Sequence, residues 1–124
     1  MGLRFRFRFA SEDHERYGDQ WWTFNEADLA RMRSRELIAI ERELRAELGI
    51  NVYDAVMSLR QAHREATAAT LALMWIARRM AGVVEPLSEF DPMVLAARSE
   101  ELPEGDDADP PVRTSSPSPE SSGA

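Results

Sequence analysis

Few residues of this chain have the type and spacing that metal binding requires. The two histidines, His14 and His63, lie far apart, and neither has a second histidine at ligand spacing. The chain has no cysteine, which excludes disulfides and thiolate metal sites. Asp106, Asp107 and Asp109 lack the glycine and the glutamate that complete a calcium-binding loop. We therefore expect neither a metal ion nor another cofactor.

The acidic side chains do not predict an active site either. Glu41 and Glu43 are candidates for a catalytic carboxylate pair, but residues two apart on a helix do not face each other. The sequence also lacks a glycine-rich phosphate loop, a nucleophile elbow and an HExxH motif. We therefore expect a protein that is not an enzyme.

Arginines and tryptophans near the N-terminus suggest a second kind of chemistry, the binding of nucleic acid. Arg4, Arg6 and Arg8 alternate with apolar residues, and Trp21 and Trp22 are aromatic groups on which bases could stack. The net charge is −7, of which residues 1–98 carry only −1. Because such a domain lacks a broad basic field, nucleic-acid binding is kept only as the alternative function.

The N-terminal segment has the alternation of a β-strand with one apolar face. Leu3–Phe9 alternates apolar residues with arginines, and a second short strand is expected at Gln20–Phe24 after the polar connection Ser11–Asp19. We predict a β-hairpin over 3–24. A hairpin alone is marginally stable, so its aromatic face must pack on helices or bind another protein.

Core and interface are equally good interpretations of that aromatic face, and the Val83–Phe90 loop is the next candidate surface. The candidate partner-binding residues are Phe5, Phe7, Phe9, Trp22, Phe24 and Phe90.

Helix signals follow one another through the rest of the chain. Asn25 and Ser34 are N-cap candidates, Gly49 is typical of a helix end, and Asn51 is a further N-cap candidate. The uncharged segment Ala68–Ala77 must be surrounded by protein, since a bilayer span takes about 20 apolar residues. The expected core residues are Leu37, Ile40, Leu44, Val56, Leu59, Leu71, Met74 and Trp75.

These signals predict a small α+β protein, mainly α, with one domain over 1–101. An N-terminal β-hairpin is followed by three to four helices, over about 26–48, 52–81 and 92–101, and the second range is one helix or two. The last helix is expected to begin at Asp91-Pro92. Residues 102–124 are acidic and rich in Pro and Ser, so we expect a disordered tail.

The order of four short motifs is informative. They are Trp22-Thr23-Phe24-Asn25, Glu36-Leu37-Ile38-Ala39-Ile40-Glu41, Leu71-Ala72-Leu73-Met74-Trp75-Ile76-Ala77-Arg78-Arg79 and Glu89-Phe90-Asp91. Over Trp21 to Glu101 this order resembles that of tail assembly chaperones of long-tailed, siphovirus-type phages of actinobacteria. The sequence departs from the family at Glu47-Leu48-Gly49, where a Thr-Gly is usual, and in the length of Ser11–Asp19, where the turn is usually tighter.

The resemblance implies a non-catalytic chaperone, a viral protein that works through protein–protein interaction. It implies that the chain binds the phage tape measure protein, with the tail tube protein as a further candidate partner. It also implies a location in the host bacterial cytoplasm and absence from the mature virion. A longer, frameshifted product is common in the family. No membrane partner is expected, and self-association is left open.

Overall fold

A computed structural model of the protein describes residues 2–61 and 67–102 of the 124-residue chain. The fold is α+β and mainly α, as the sequence predicts. The strands and helices, in chain order, are β1 (Arg4–Arg8), α1 (His14–Tyr17), β2 (Trp22–Asn25), α2 (Glu26–Leu29), α3 (Ser34–Leu48), α4 (Val52–Arg60), α5 (Thr67–Met80) and β3 (Arg98–Glu101). Short 3-10 turns lie at Ser11–Asp13, Leu87–Glu89 and Val94–Ala96.

The strands form one antiparallel sheet with the order β2–β1–β3. The predicted pairing of the first two strands is confirmed, and its register sets Phe5 opposite Phe24 and Phe7 opposite Trp22. Paired residues of an antiparallel ladder project to the same face. The aromatic side chains therefore share one face of the sheet, and the arginines of β1 share the other.

The predicted helix over 26–48 is divided in two. The Asn25 side chain caps α2 by accepting a hydrogen bond from the Ala27 N–H at 3.1 Å, and α2 ends after one turn. In α3, Ser34 is the first helical residue and not the cap, since Arg33 occupies that position and no side chain caps the helix. Gly49 ends α3 with φ of 70°, a left-handed conformation that suits glycine.

Asn51 caps the start of α4, as predicted. Its side chain accepts a hydrogen bond from the Asp54 N–H at 2.7 Å, and the Asp54 carboxylate accepts one from the Asn51 N–H at 3.4 Å. This reciprocal capping box satisfies two backbone donors at the start of the helix. Residues 62–66, between α4 and α5, lie outside the described part, so the structure leaves open whether 52–81 is one helix or two.

The predicted helix over 92–101 is wrong. This segment contains the 3-10 turn Val94–Ala96 and the strand β3, which pairs with the free edge of β1. Two interactions divert the chain from a helix: the Met93 N–H donates to the Asp13 carboxylate at 2.8 Å, and the Leu102 N–H donates to the Arg4 carbonyl at 2.8 Å. The predicted disorder of 102–124 concerns a segment of which only Leu102 is described.

The hydrophobic core lies between the aromatic face of the sheet and the helices, with α5 at its centre. Eight of the fourteen residues of α5 are buried. Of the predicted core residues, Ile40, Leu44, Val56, Met74 and Trp75 are buried, and Leu37, Leu59 and Leu71 are partly buried against them. None of the described helices is both long and apolar enough to cross a membrane.

Candidate partner-binding site

The aromatic residues predicted to bind a partner are part of the core. All six are less than one-tenth exposed, so of the two interpretations of the aromatic face the structure supports the core, and these residues are not a surface for a partner. The reason is that α5 packs against β2 of the sheet and that the phenylalanine rings pack on each other. The buried residues are Phe5, Phe7, Phe9, Trp22, Phe24 and Phe90.

A buried arginine lies at one end of this aromatic cluster. Arg78 is 7% exposed, and its guanidinium pairs with the Glu85 carboxylate. The same guanidinium lies 5.0–5.8 Å from the ring centroids of four aromatic residues, close enough for cation–π attraction. Those residues are Phe9, Tyr17, Trp22 and Phe90. Arg78 therefore links α5 to the sheet, to α1 and to the loop that follows α5.

The Val83–Phe90 loop is held against the domain by polar contacts. The Trp75 indole N–H donates to the Glu85 carbonyl at 2.7 Å, and the Leu87 N–H donates to the Glu43 carboxylate at 2.8 Å. Within the loop, Val84 is 74% exposed, but Leu87 is buried. The loop therefore offers a partner one large exposed apolar side chain, that of Val84.

The two carboxylates considered for catalysis have separate structural contacts. Glu41 accepts a hydrogen bond from the Val52 N–H at 3.3 Å, whereas Glu43 contacts the Leu87 N–H and the Arg79 guanidinium. The side chains therefore point apart, as the helix spacing predicts. Among the described residues, no cluster of three or more His, Asp or Glu residues could hold a metal ion.

A large surface cavity lies between α3 and α4. Its volume is about 710 Å³, and two exposed apolar side chains flank it: Ile38 on α3, 53% exposed, and Tyr53 on α4, 69% exposed. The lining residues are Leu37, Ile38, Glu41, Arg42, Arg45, Ala46, Asn51 and Tyr53.

A second hollow of about 370 Å³ continues this cavity toward α2. The two hollows share three lining residues, Leu37, Glu41 and Tyr53, so they form one groove along α3 and α4. We call their combined surface the α3–α4 groove. The lining residues of the second hollow are Glu26, Leu29, Ala30, Leu37, Glu41, Val52, Tyr53, Val56, Met57 and Arg60.

Charged residues border the α3–α4 groove along its length. Arg45 lies 3.9 Å from the Glu41 carboxylate, and Arg60 lies 3.9 Å from the Glu26 carboxylate. Arg42 is exposed on the α3 side. An apolar floor with a charged border can hold the apolar stripe of a helix.

Sequence reasoning did not select the two apolar residues that define the groove. Ile38 stands beside Leu37 but outside the stripe that α3 turns to the core, and Tyr53 stands beside the buried Val52. The sequence signal for such a surface residue is an apolar side chain next to, but outside, the stripe that faces the core. It is weak, because single exposed apolar residues are common on protein surfaces.

Comparison with protein-family models gives no match, and comparisons with curated proteins and with solved structures also give none.

Proposed function

We propose that this protein is a non-catalytic phage tail assembly chaperone that binds helical segments of a tape measure protein in the α3–α4 groove. Two things support the proposal: the order of motifs over Trp21 to Glu101, and the groove itself. The groove is the structural observation on which the proposal rests. It is the described surface where exposed apolar side chains from two helices border one cavity.

The shape of the α3–α4 groove suits an amphipathic helix. Such a helix presents apolar side chains at i, i+3, i+4 and i+7, which form a stripe that a groove between two helices can accept. Leu37 and Val56 form part of the floor, and Ile38 and Tyr53 flank it. A tape measure protein with long hydrophobic helices would bury such stripes here instead of aggregating through them.

The charges of the groove favour a bound helix with acidic residues beside its apolar stripe. We call the bound tape measure segment the client. Arg42 and Arg45 border the larger hollow, and only Arg45 lies beside a carboxylate of the groove. Complementary charges at an interface border mainly accelerate encounter and select the partner, whereas the apolar contacts supply the affinity. We therefore expect high salt to slow client binding more than it weakens the final complex.

Replacing Ile38 by aspartate should abolish the solubilisation of a co-expressed tape measure fragment, because a charge would then lie on the apolar border of the groove. Ile38 is 53% exposed, so its replacement should change the free energy of unfolding by about 0.5 kcal/mol or less. The measurement is the soluble fraction of the tape measure fragment in cell lysates, together with the thermal midpoint of each purified variant.

The matched control is Val84→Asp, which places the same charge on an exposed apolar residue that does not line the groove. This variant should keep the client soluble. If the tape measure fragment lost solubility equally with both variants, or stayed soluble with both, the α3–α4 groove would not be its binding site.

One observation favours the alternative, a small nucleic-acid-binding regulator that uses the arginine-rich strand. β3 sets Arg98 directly opposite Arg8, which adds a fourth arginine to the face that carries Arg4 and Arg6. Against this, Arg6 forms an ion pair with Glu100 at 2.7 Å. If the purified protein bound an oligonucleotide and failed to solubilise any tape measure fragment, the regulator would replace the chaperone.

A further inference from the structure

The solvent-facing side of the sheet concentrates positive charge in an acidic protein. The register sets Arg6 opposite Glu100 and Arg8 opposite Arg98. The Arg6 guanidinium lies 4.3 Å from the Trp21 ring centroid, and that of Arg98 lies 6.0 Å from it. We call this surface the Arg face and define it by Arg4, Arg6, Arg8, Trp21, Arg98 and Glu100. These six residues together carry a net charge of +3, and Glu12 lines a hollow with Arg8 and Arg98 next to them, whereas the chain as a whole carries −7.

Part of this positive charge is not compensated within the described residues. Arg6 is paired with Glu100, but no ion pair joins Arg8 or Arg98 to any carboxylate of residues 2–61 and 67–102. The Arg8 Nε atom is buried and has no hydrogen-bond partner there. Like charges placed directly across a strand pair destabilise it. An acidic group from outside the described residues would relieve that repulsion.

The chain itself supplies acidic groups next to this surface. The Leu102 N–H donates to the Arg4 carbonyl at 2.8 Å, so the last described residue lies beside Arg4 at one end of the Arg face. Four acids follow within seven residues: Glu104, Asp106, Asp107 and Asp109. In an extended conformation residues 103–109 would span about 20 Å, whereas the five residues of β1 span about 14 Å. The segment is therefore long enough to reach Arg8.

We propose that the acidic segment 104–109 docks in cis on the Arg face and neutralises it. Tethering a ligand by a few residues gives it an effective concentration in the millimolar range, so weak charge–charge contacts are sufficient. The docked segment would compete with other polyanions, including nucleic acid, for the same arginines. This inference does not depend on the chaperone function, because it concerns a different surface of the domain.

The test compares amide NMR spectra of the full chain with those of the full-length variant E104Q/D106N/D107N/D109N. We expect the amide resonances of residues 4–8 and 98–101 and the Trp21 indole resonance to differ between the two proteins. The difference should vanish in about 1 M salt, where the Debye length is about 3 Å. Superimposable spectra at low salt would overturn the proposal.

Two arginine variants show whether the contact is specific. In the Arg8→Gln background, neutralising the acidic segment should change the spectrum much less. In the Arg31→Gln background, which removes an exposed arginine outside the Arg face, the full difference should remain. A difference that persists unchanged without Arg8 would place the segment on another surface and overturn the proposal.

A second measurement tests directly whether the acidic segment covers the Arg face. With a single-stranded DNA of about 20 nucleotides at about 50 mM salt, the variant with the neutralised segment should bind about tenfold more tightly than the wild-type chain. That gain should be lost in the Arg8→Gln background. Equal affinities of the wild-type chain and the neutralised variant would show that the segment does not cover the Arg face.

Discussion

Replacing Trp75 by alanine is expected to lower the free energy of unfolding by about 3–5 kcal/mol. Trp75 is 2% exposed in the middle of α5, and its indole N–H donates to the Glu85 carbonyl at 2.7 Å. The Arg79 guanidinium lies 5.5 Å from its ring centroid. Alanine would therefore leave a cavity and also leave the Glu85 carbonyl without this donor. Because native domains have total stabilities of only about 5–15 kcal/mol, this loss is a large fraction of the whole.

The measurement is urea denaturation of the full chain, followed by far-UV circular dichroism. Tyr53→Ala is the control, because Tyr53 is also aromatic but is 69% exposed, and we expect it to cost about 0.5 kcal/mol or less. A loss below about 1 kcal/mol for Trp75→Ala would contradict the placement of α5 at the centre of the core.

Replacing Arg78 by alanine is expected to cost about 3–5 kcal/mol, because it removes one partner of a buried ion pair. The Glu85 carboxylate, whose side chain is 19% exposed, would keep only the exposed Arg16 guanidinium, which lies 4.0 Å away. The four aromatic rings would also lose the guanidinium that lies among them. The loss should appear as a lower midpoint in urea denaturation with an unchanged slope.

Two further variants separate charge from shape at this position. Arg78→Lys keeps the charge but has no planar group to stack on the rings, so it should recover only part of the stability. The double variant Arg78→Met with Glu85→Gln leaves no unpaired charge in the interior, since Arg16, the other partner of Glu85, is exposed. We expect it to be more stable than Arg78→Ala. If all three variants matched the wild-type chain, the buried ion pair would contribute nothing to folding.

The elements predicted correctly are those whose signals are local. The alternation over Leu3–Phe9 identifies a strand with one apolar face, and its core of Arg4–Arg8 is β1. Asn51 and Gly49 mark helix ends through backbone chemistry that acts within one turn. The uncharged run Ala68–Ala77 identifies the central helix, because only burial on nearly every side explains ten residues without a charge.

The strand β3 was missed because nothing in its own residues specifies it. Arg98-Ser99-Glu100-Glu101 is polar and exposed throughout, with no alternation of burial. The segment becomes a strand because the edge of β1 is available for pairing, and such an edge is a property of the folded sheet. Asp91-Pro92 is typical of a helix start. The backbone does not continue as a helix, because the Met93 N–H donates to the Asp13 carboxylate of a distant segment.

The candidate site was less predictable than the fold, because it depends on which side chains remain uncovered. The alternation of β1 could not decide whether its phenylalanines pack internally or against a partner, and the position of α5 decides it. Arg78 follows an apolar run as one of two arginines and predicts a helix end, yet the loop after α5 returns to bury it. The α3–α4 groove arises from the relative placement of two helices, which no local pattern records.

The central claim, that the α3–α4 groove holds the client, is tested most directly by photo-crosslinking in cells that co-express a tape measure protein. A photoreactive phenylalanine analogue replaces Ile38 in one variant and Leu95 in another. Leu95 is 88% exposed and lines neither hollow of the groove. We predict a covalent adduct with the tape measure protein from position 38 and none from position 95. An adduct from position 95 alone, or no adduct from either position, would contradict the claim.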